Sequence, residues 1–288
     1  MCNCKPGGDA RPCSPSDLSD AVWEVIEPLM PARDRSKGGA PRKYDDRLAW
    51  DTIFYVLRSG CQWRMIPRDL LPWDAAYRRY RTWKTDGTPD RIHDTLRAEV
   101  REKADRDPNP TAAVLDSQPI LTGEGGQARG YDTGKRTKDR KRHLAVDALG
   151  LVLVVAVTST SAQDRPGGRR VLEALADRLP TVGLVRADTG YADKVDSGLL
   201  TWAYETCKLV VEIVRRGDDT KGFQVLPRRR VVERTFAWLV RNRRLARDYE
   251  RLTDNSEAMV KLAMIRLTAT RLADQSPRWS NRPADQTV

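Results

Sequence analysis

HLAVDALGLVLVVAVTST, residues 143–160, reads as two β-rich apolar runs meeting at Gly150, the pattern of a β-hairpin. Before it, TAAVLDSQ (111–118) is a short strand. After it, GGRRVLEALADRL (167–179) is a helix with Val171, Leu172, Leu175 and Leu179 on its apolar face. GLVRAD (183–188) is a fourth strand, residues 193–206 are helical, and KLVVEIV (208–214) is a fifth strand. PRRRVVERTFAWLVRNRRLARDYE (227–250) is a long helix starting near Pro227, which suits a first turn. A last helix runs from about Asn255 to Leu272, with Asp254 and Glu257 spaced like a capping box.

Three strands, then helix, strand, helix, strand and helix, is the ribonuclease H-like order. The expected fold class is therefore α/β: a mixed five-stranded sheet with flanking helices. It is preceded by a small all-α domain with a helix-turn-helix-like layout. From Ser16 to about Arg106 the pattern is helical. SDLSDAVWEVIEPLM (16–30) opens on N-cap residues. In DDRLAWDTIFYVLRSG (45–60), Trp50, Ile53, Phe54 and Leu57 form one stripe, with Gly60 just past the end. WDAAYRRYRTWKTDG (73–87) carries Ala76, Tyr77 and Tyr80 at helical spacing, with Arg78, Arg79 and Arg81 on the remaining surface. PDRIHDTLRAEVREKADR (89–106) places Ile92, Leu96 and Val100 on one stripe. DRDPNP (105–110) marks a boundary. The expected division is a disordered tail over 1–15, a helical DNA-binding domain over 16–106, a catalytic domain over 111–274 and a second tail over 275–288.

The chain holds 51 Lys and Arg against 40 Asp and Glu, a net +11, which suits a polyanionic partner such as nucleic acid. Its five cysteines form no CxxC pair, so neither a disulfide framework nor a zinc ribbon is indicated. Cys2, Cys4 and Cys13 fall in a Gly/Pro-rich tail without the apolar core of a secretory signal. The longest apolar run, 149–157, is too short to span a bilayer. The expected setting is cytoplasmic and nucleoid-associated. With only His93 and His143, chemistry built on several histidines is hard to arrange.

Three acidic residues stand where such a sheet could gather them. Asp116 closes the first strand, Asp188 closes the fourth, and Glu233 lies on the long basic helix, with spacings of 72 and 45 residues. Breaking a phosphodiester requires an activated attacking oxygen and a stabilised leaving oxygen. Two hard cations about 3.5–4 Å apart serve both needs. Mg²⁺ takes oxygen ligands and keeps positions open for water and phosphate, so a few carboxylates suffice. Each acid alone is an ordinary cap, turn or salt-bridge residue; the triple and its neighbours carry the reading. RGYDTGKRTKDRKR (129–142) has seven basic residues and two acidic ones, and residues 221–251 have ten and three. Both stretches would neutralise DNA phosphates. The candidates are Lys135, Lys138, Arg140, Lys141, Arg142, Arg234 and Arg241. Arg228, Arg229 and Arg230 open the helix that carries Glu233, where N-terminal amides also favour phosphate.

From about Leu18 to Ala273 the chain resembles the transposases of insertion sequence family 5, in the DDE superfamily. The carrying segments include LSDAVWEVIEPLMP, YVLRSGCQWRMIPRDLLPW, LDSQ, RGYDTGKRTKDRKRHLAVDALGLVL, SAQDRPGGRRVLEAL, ADTGYADK and VLPRRRVVERTFAWLVRNRRLARDYE. The resemblance implies that Asp116, Asp188 and Glu233 are the catalytic and metal-binding acids, holding two Mg²⁺ ions with Mn²⁺ as a substitute. It implies that Arg229 contacts DNA near the cut. It also implies an insertion element 4-like helical domain that recognises terminal inverted repeats, target DNA as second substrate, and a homodimer on paired ends. Leu226 and Val240 stand at the tyrosine and lysine positions of the wider signature, with Arg241 as the substitute for the lysine. Arg230 replaces an expected Trp, Pro119 an expected Ser, and Asp139 an expected Gly, adding negative charge to a phosphate-facing loop. Two other readings fit these residues: a nuclease or resolvase of the same fold that cuts without joining, and a decayed copy that only binds DNA.

Overall fold

The computed structural model describes residues 14–32, 43–123, 126–132, 137–161, 164–192, 198–214 and 230–275. They fall into two compact units. One takes Met1–Lys103, Arg241–Arg244 and Lys261–Val288, the other Ala104–Val240 and Leu245–Val260.

The first unit is helical. Helix α1 (Asp20–Ile26) is capped by Ser19, whose side chain accepts from the Val22 N–H. Helix α2 (Asp46–Ser59) ends at Gly60 in the left-handed conformation (φ 73°), as the sequence predicts. Helix α3 (Trp73–Asp86) ends the same way at Gly87, and α4 (Thr88–Lys103) follows at once. The predicted stripes are buried: Trp50, Ile53, Phe54 and Leu57 on α2, Ala76, Tyr80 and Trp83 on α3, and Ile92, Leu96 and Val100 on α4. Trp50 stacks on Trp83 with ring centroids 5.0 Å apart. The chain before α1 is pinned by Asp51, which accepts from the Leu18 N–H at 2.7 Å, and by Arg266, which donates to the Ser16 carbonyl.

The second unit is built on one mixed sheet. Its strands are β1 (Ala112–Leu121), β2 (Gly130–Asp132), β3 (Thr137–Val146), β4 (Val152–Ser159), β5 (Leu184–Ala187) and β6 (Val210–Ile213). Antiparallel β3 pairs with β1 on one side and with β4 and β2 on the other, and β1, β5 and β6 then run parallel. The expected hairpin turns on Asp147, whose carboxylate accepts from the N–H groups of Leu149 and Leu151, with Gly150 at φ 81°. Helices α5 (Asp164–Arg178) and α6 (Leu199–Cys207) pack over Leu115, Ala145, Val154, Val185 and Val211. Helix α7 (Arg230–Val240) packs against β1 and β3, and Thr235 donates to the Gly150 carbonyl at the hairpin tip.

Three elements differ from the sequence reading. Residues 130–142 were expected as a basic loop, but β2 and the first half of β3 occupy part of this stretch, so the sheet has six strands. Long side chains hid the β-pattern there, because Arg140 and Arg142 are interior. The helix expected over 227–250 is α7 followed by a break at Arg241–Asn242 and a short α8 (Arg243–Ala246). Asparagine competes for backbone hydrogen bonds and suits such a break. The last helix, α9 (Thr253–Leu272), does not use Glu257 for a capping box. That carboxylate accepts from the Val157 N–H at 2.9 Å and pairs with Arg170 at 3.1 Å, tying the helix start to β4.

Gly167 is where α5 meets the sheet. A methyl group on it would sit 2.2 Å from His143 Nε2, inside a fully buried ring. Gly167→Ala should therefore destabilise the fold by about 2–3 kcal/mol, as overpacking does. Thermal denaturation checks this, and a wild-type midpoint would contradict the contact.

Candidate active site

Asp116 and Asp188 owe their placement to strand register. In the parallel pair β1–β5, Leu115 lies opposite Ala187, and the next residue in each segment is an aspartate, Asp116 inside β1 and Asp188 just past the end of β5. Neighbouring strands run about 4.8 Å apart, so the two backbones deliver their carboxylates side by side at one end of the sheet. Each is then fixed by a backbone donor. The Ser117 N–H donates to Asp116 Oδ1 at 2.7 Å. Asp188 caps the 3₁₀ turn Thr189–Tyr191, and the Gly190 N–H donates to its Oδ1 at 2.9 Å.

Beneath this pair runs a polar network that sequence reasoning missed. The Ser117 hydroxyl donates to Asp164 Oδ1 at 2.8 Å, and Lys141 Nζ donates to the same oxygen at 3.1 Å. The Tyr191 hydroxyl bonds to Ser117 and lies 3.0 Å from His143 Nδ1, while His143 Nε2 lies 2.9 Å from the Thr158 hydroxyl. One assignment satisfies every group: neutral His143 donates from Nδ1 to Tyr191, Tyr191 donates to Ser117, and Thr158 donates to Nε2. Burial drives the His143 pKa down to about 4, against a raising influence from Asp164. Burial likewise pushes the Tyr191 phenol far up, helped by the charge of Asp164. Both rings are thus uncharged hydrogen-bonding struts at neutral pH. The one signal in the sequence was the pair Gly167–Gly168: a methyl on Gly168 would lie 2.9 Å from the Tyr191 ring.

Glu233 lies in the first turn of α7 and is exposed, on a helix that packs against β1 and β3. Among the described residues, no three His, Cys, Asp or Glu side chains stand close enough to hold one metal ion. The structure therefore brings Asp116 and Asp188 together and leaves Glu233 outside a closed trio. The donors nonetheless suit a hard divalent cation. They are carboxylate oxygens, those of Asp116 within β1 and of Asp188 just past β5 already oriented by backbone N–H groups.

The basic candidates divide sharply. Arg140 and Arg142 are 1% and 0% exposed, so they do not meet phosphates as the sequence suggested. Arg140 instead pairs with the buried Asp248 at 2.9 Å and donates to the carbonyls of Gln127, Glu250 and Arg251. It thereby holds two loops to β3. Arg142 donates weakly to the Leu245 carbonyl at 3.5 Å, and burial lowers its pKa to about 10. Asp139 is also corrected: it is buried in β3, not set in a phosphate-facing loop. Arg79 is half-buried and braces α3 to α2 through Asp46 at 2.6 Å. Lys141 is engaged with Asp164. Arg78, Arg81, Arg234 and Arg241 are exposed, with Arg234 lying over the Trp238 ring. Lys135 and Arg229 lie outside the described residues, as do Leu226 and the three N-terminal cysteines, and of Lys138 only the backbone is described.

Two family models match the chain. Residues 18–93 match a transposase of the IS4/5 family, and residues 107–268 match the transposase DDE domain. An uncharacterised 16.2 kDa protein of insertion element IS402 from Burkholderia cepacia is 34% identical over 119 residues, covering 39% of this chain and 78% of that protein. The uncharacterised protein y4sN of Sinorhizobium fredii is 35% identical over 83 residues, covering 29% of this chain and 65% of its own. No solved structure matches the chain.

The buried, neutral His143 makes stability depend on pH. Between its ordinary pKa of 6.5 and its folded value of about 4, the unfolded chain binds a proton that the folded chain does not. His143 therefore costs stability as pH falls through this window and costs none above it. The unfolding midpoint of the wild type should drop more between pH 6.5 and 4.5 than that of His143→Gln. Equal drops would contradict a neutral buried imidazole.

Proposed function

The chain belongs to the transposase DDE domain family, and from this we propose that it cuts the ends of an insertion element and joins the freed 3′-hydroxyl strand to target DNA. Transposition on a DNA substrate, with divalent metal, is what that family does. The finer reading assigns the reaction to Asp116, Asp188 and Glu233. The observation that carries it is the parallel register of β1 and β5, whose last pair, Leu115 and Ala187, is followed on both segments by an aspartate, each carboxylate oriented by a backbone N–H.

Mg²⁺, with Mn²⁺ as a substitute, would supply a nucleophilic oxygen and neutralise charge on the phosphate when two ions are bound there. The chain's own part is positional. Asp116 and Asp188 form the fixed half of the site. Glu233, exposed on the opening turn of α7, is the mobile third donor and closes on the pair when DNA is in place. Arg234 and Arg241, exposed on and just after α7, would bear on the DNA backbone, together with Arg229, just before α7, and Lys135, from the basic run 129–142. Arg78 and Arg81, exposed on α3, would contact the terminal inverted repeats. A homodimer on paired ends would supply two such sites for two ends.

Strand transfer tests this directly. The protein is mixed with a precut inverted-repeat end and supercoiled target, with Mg²⁺ or with EDTA. Joined product is expected only with metal, and Asp188→Asn should reduce it to background while end binding persists. Full activity in Asp188→Asn would contradict the assignment. Cleavage without joining would mark a nuclease, and end binding without either reaction a DNA-binding protein alone.

A further inference from the structure

Asp164 is the first residue of α5, far in sequence from the three acids assigned above. Its contacts nevertheless converge on them. Through Oδ1 it accepts from the Ser117 hydroxyl at 2.8 Å, and the backbone N–H of that same serine holds Asp116 at 2.7 Å. Ser117 also bonds to the hydroxyl of Tyr191, the last residue of the 3₁₀ turn whose Gly190 N–H holds Asp188. A methyl on Gly190 would lie 3.0 Å from Asp188 Oδ1 and 3.3 Å from Asp164 Oδ2, so both carboxylates close over one point. The second bond to Oδ1 comes from Lys141, on β3 two residue pairs beyond the Ser117–His143 pair. Lys141 and Ser117 are therefore drawn to the same oxygen from two strands.

We propose that Asp164 is a positioning residue: through Ser117 and Tyr191 it sets the two backbone donors that orient Asp116 and Asp188 for a divalent cation. This rests on the reading that those aspartates bind the metal. The physical case is one of orientation. A carboxylate held by one backbone N–H still swings about its own side-chain bonds. Tying the donor residue itself into a network anchored on a helix removes that freedom before the cation arrives. Partners behind metal-binding carboxylates act in this way, and losing one costs about 10–100-fold in metal affinity. Asp164 also keeps the ammonium of Lys141 occupied, so that it does not compete with the cation for the aspartates.

Mn²⁺ binding to the full chain, measured by calorimetry, provides the test without depending on turnover. Wild type, Asp188→Asn, Asp164→Ala, Asp164→Asn, Ser117→Ala and the Ser117→Ala/Asp164→Ala double variant are compared, each with its unfolding midpoint. Asp164→Ala should weaken Mn²⁺ binding about tenfold. Asp164→Asn, which keeps an acceptor for Ser117, should recover part of that loss. In the Ser117→Ala background the Asp164→Ala change should have little further effect, because the two act as one unit. Wild-type Mn²⁺ affinity in both Asp164 variants, with binding lost in Asp188→Asn, would overturn the positioning role and leave the metal-binding reading standing. A lower unfolding midpoint with unchanged affinity would overturn it equally, as a purely structural residue. Unchanged Mn²⁺ binding in Asp188→Asn would remove the metal-binding reading and this proposal with it.

Discussion

Parallel pairing of β1 with β5 is the contact on which the candidate site depends. It joins segments 72 residues apart at the two aspartates and sets them at equivalent positions on neighbouring strands. Everything around the pair serves that register. The antiparallel hairpin of β3 and β4 backs β1 on its other side, and the core of Leu115, Ala145, Val185 and Ala187 fixes which face each side chain takes. A slip of one residue between the two strands would turn one aspartate to the face opposite the other. Two like charges at this spacing repel. The Ser117 and Gly190 N–H groups offset that locally, and a bound cation would offset the rest.

The network behind the pair gives the site its stiffness. Ser117, Lys141, His143 and Thr158 face α5 from three adjacent strands, and Asp164 and Tyr191 meet them from α5 and the 3₁₀ turn. A polar cluster this well buried is costly unless every member is satisfied. Here each has a partner, which is why two glycines are needed where α5 lies over His143 and Tyr191. Arg140 obeys the same rule. The net charge of +11 is not all available to a nucleic acid, because Arg140 spends its donors on Asp248 and three carbonyls inside the second unit.

Much of this was legible in the sequence. Alternating apolar runs gave the order of the five longer strands, and Gly60 marked a helix end. Asp188 was legible because it closes β5, whereas Asp116, expected at the end of its strand, lies in the middle of β1, whose second half is hidden by the polar run Ser117–Gln118 and by Pro119. Whatever depends on contact at a distance stayed hidden. Arg140 and Arg142 read as surface charge because nothing local announces that Asp248 or the Leu245 carbonyl will meet them. Glu257 read as a helix cap because its true partners, the Val157 N–H and Arg170, lie 100 and 87 residues earlier in the chain. Asp164 read as nothing in particular for the same reason: its importance lies in Ser117, 47 positions earlier.

By this reading the β1–β5 register builds one half of a metal site. Anomalous diffraction from crystals of the protein grown with an inverted-repeat end and Mn²⁺ would test it most directly. The expected result is a manganese peak shared by the carboxylates of Asp116 and Asp188, with Glu233 drawn in from α7. Manganese bound elsewhere on the chain, with nothing at that pair, would contradict the account.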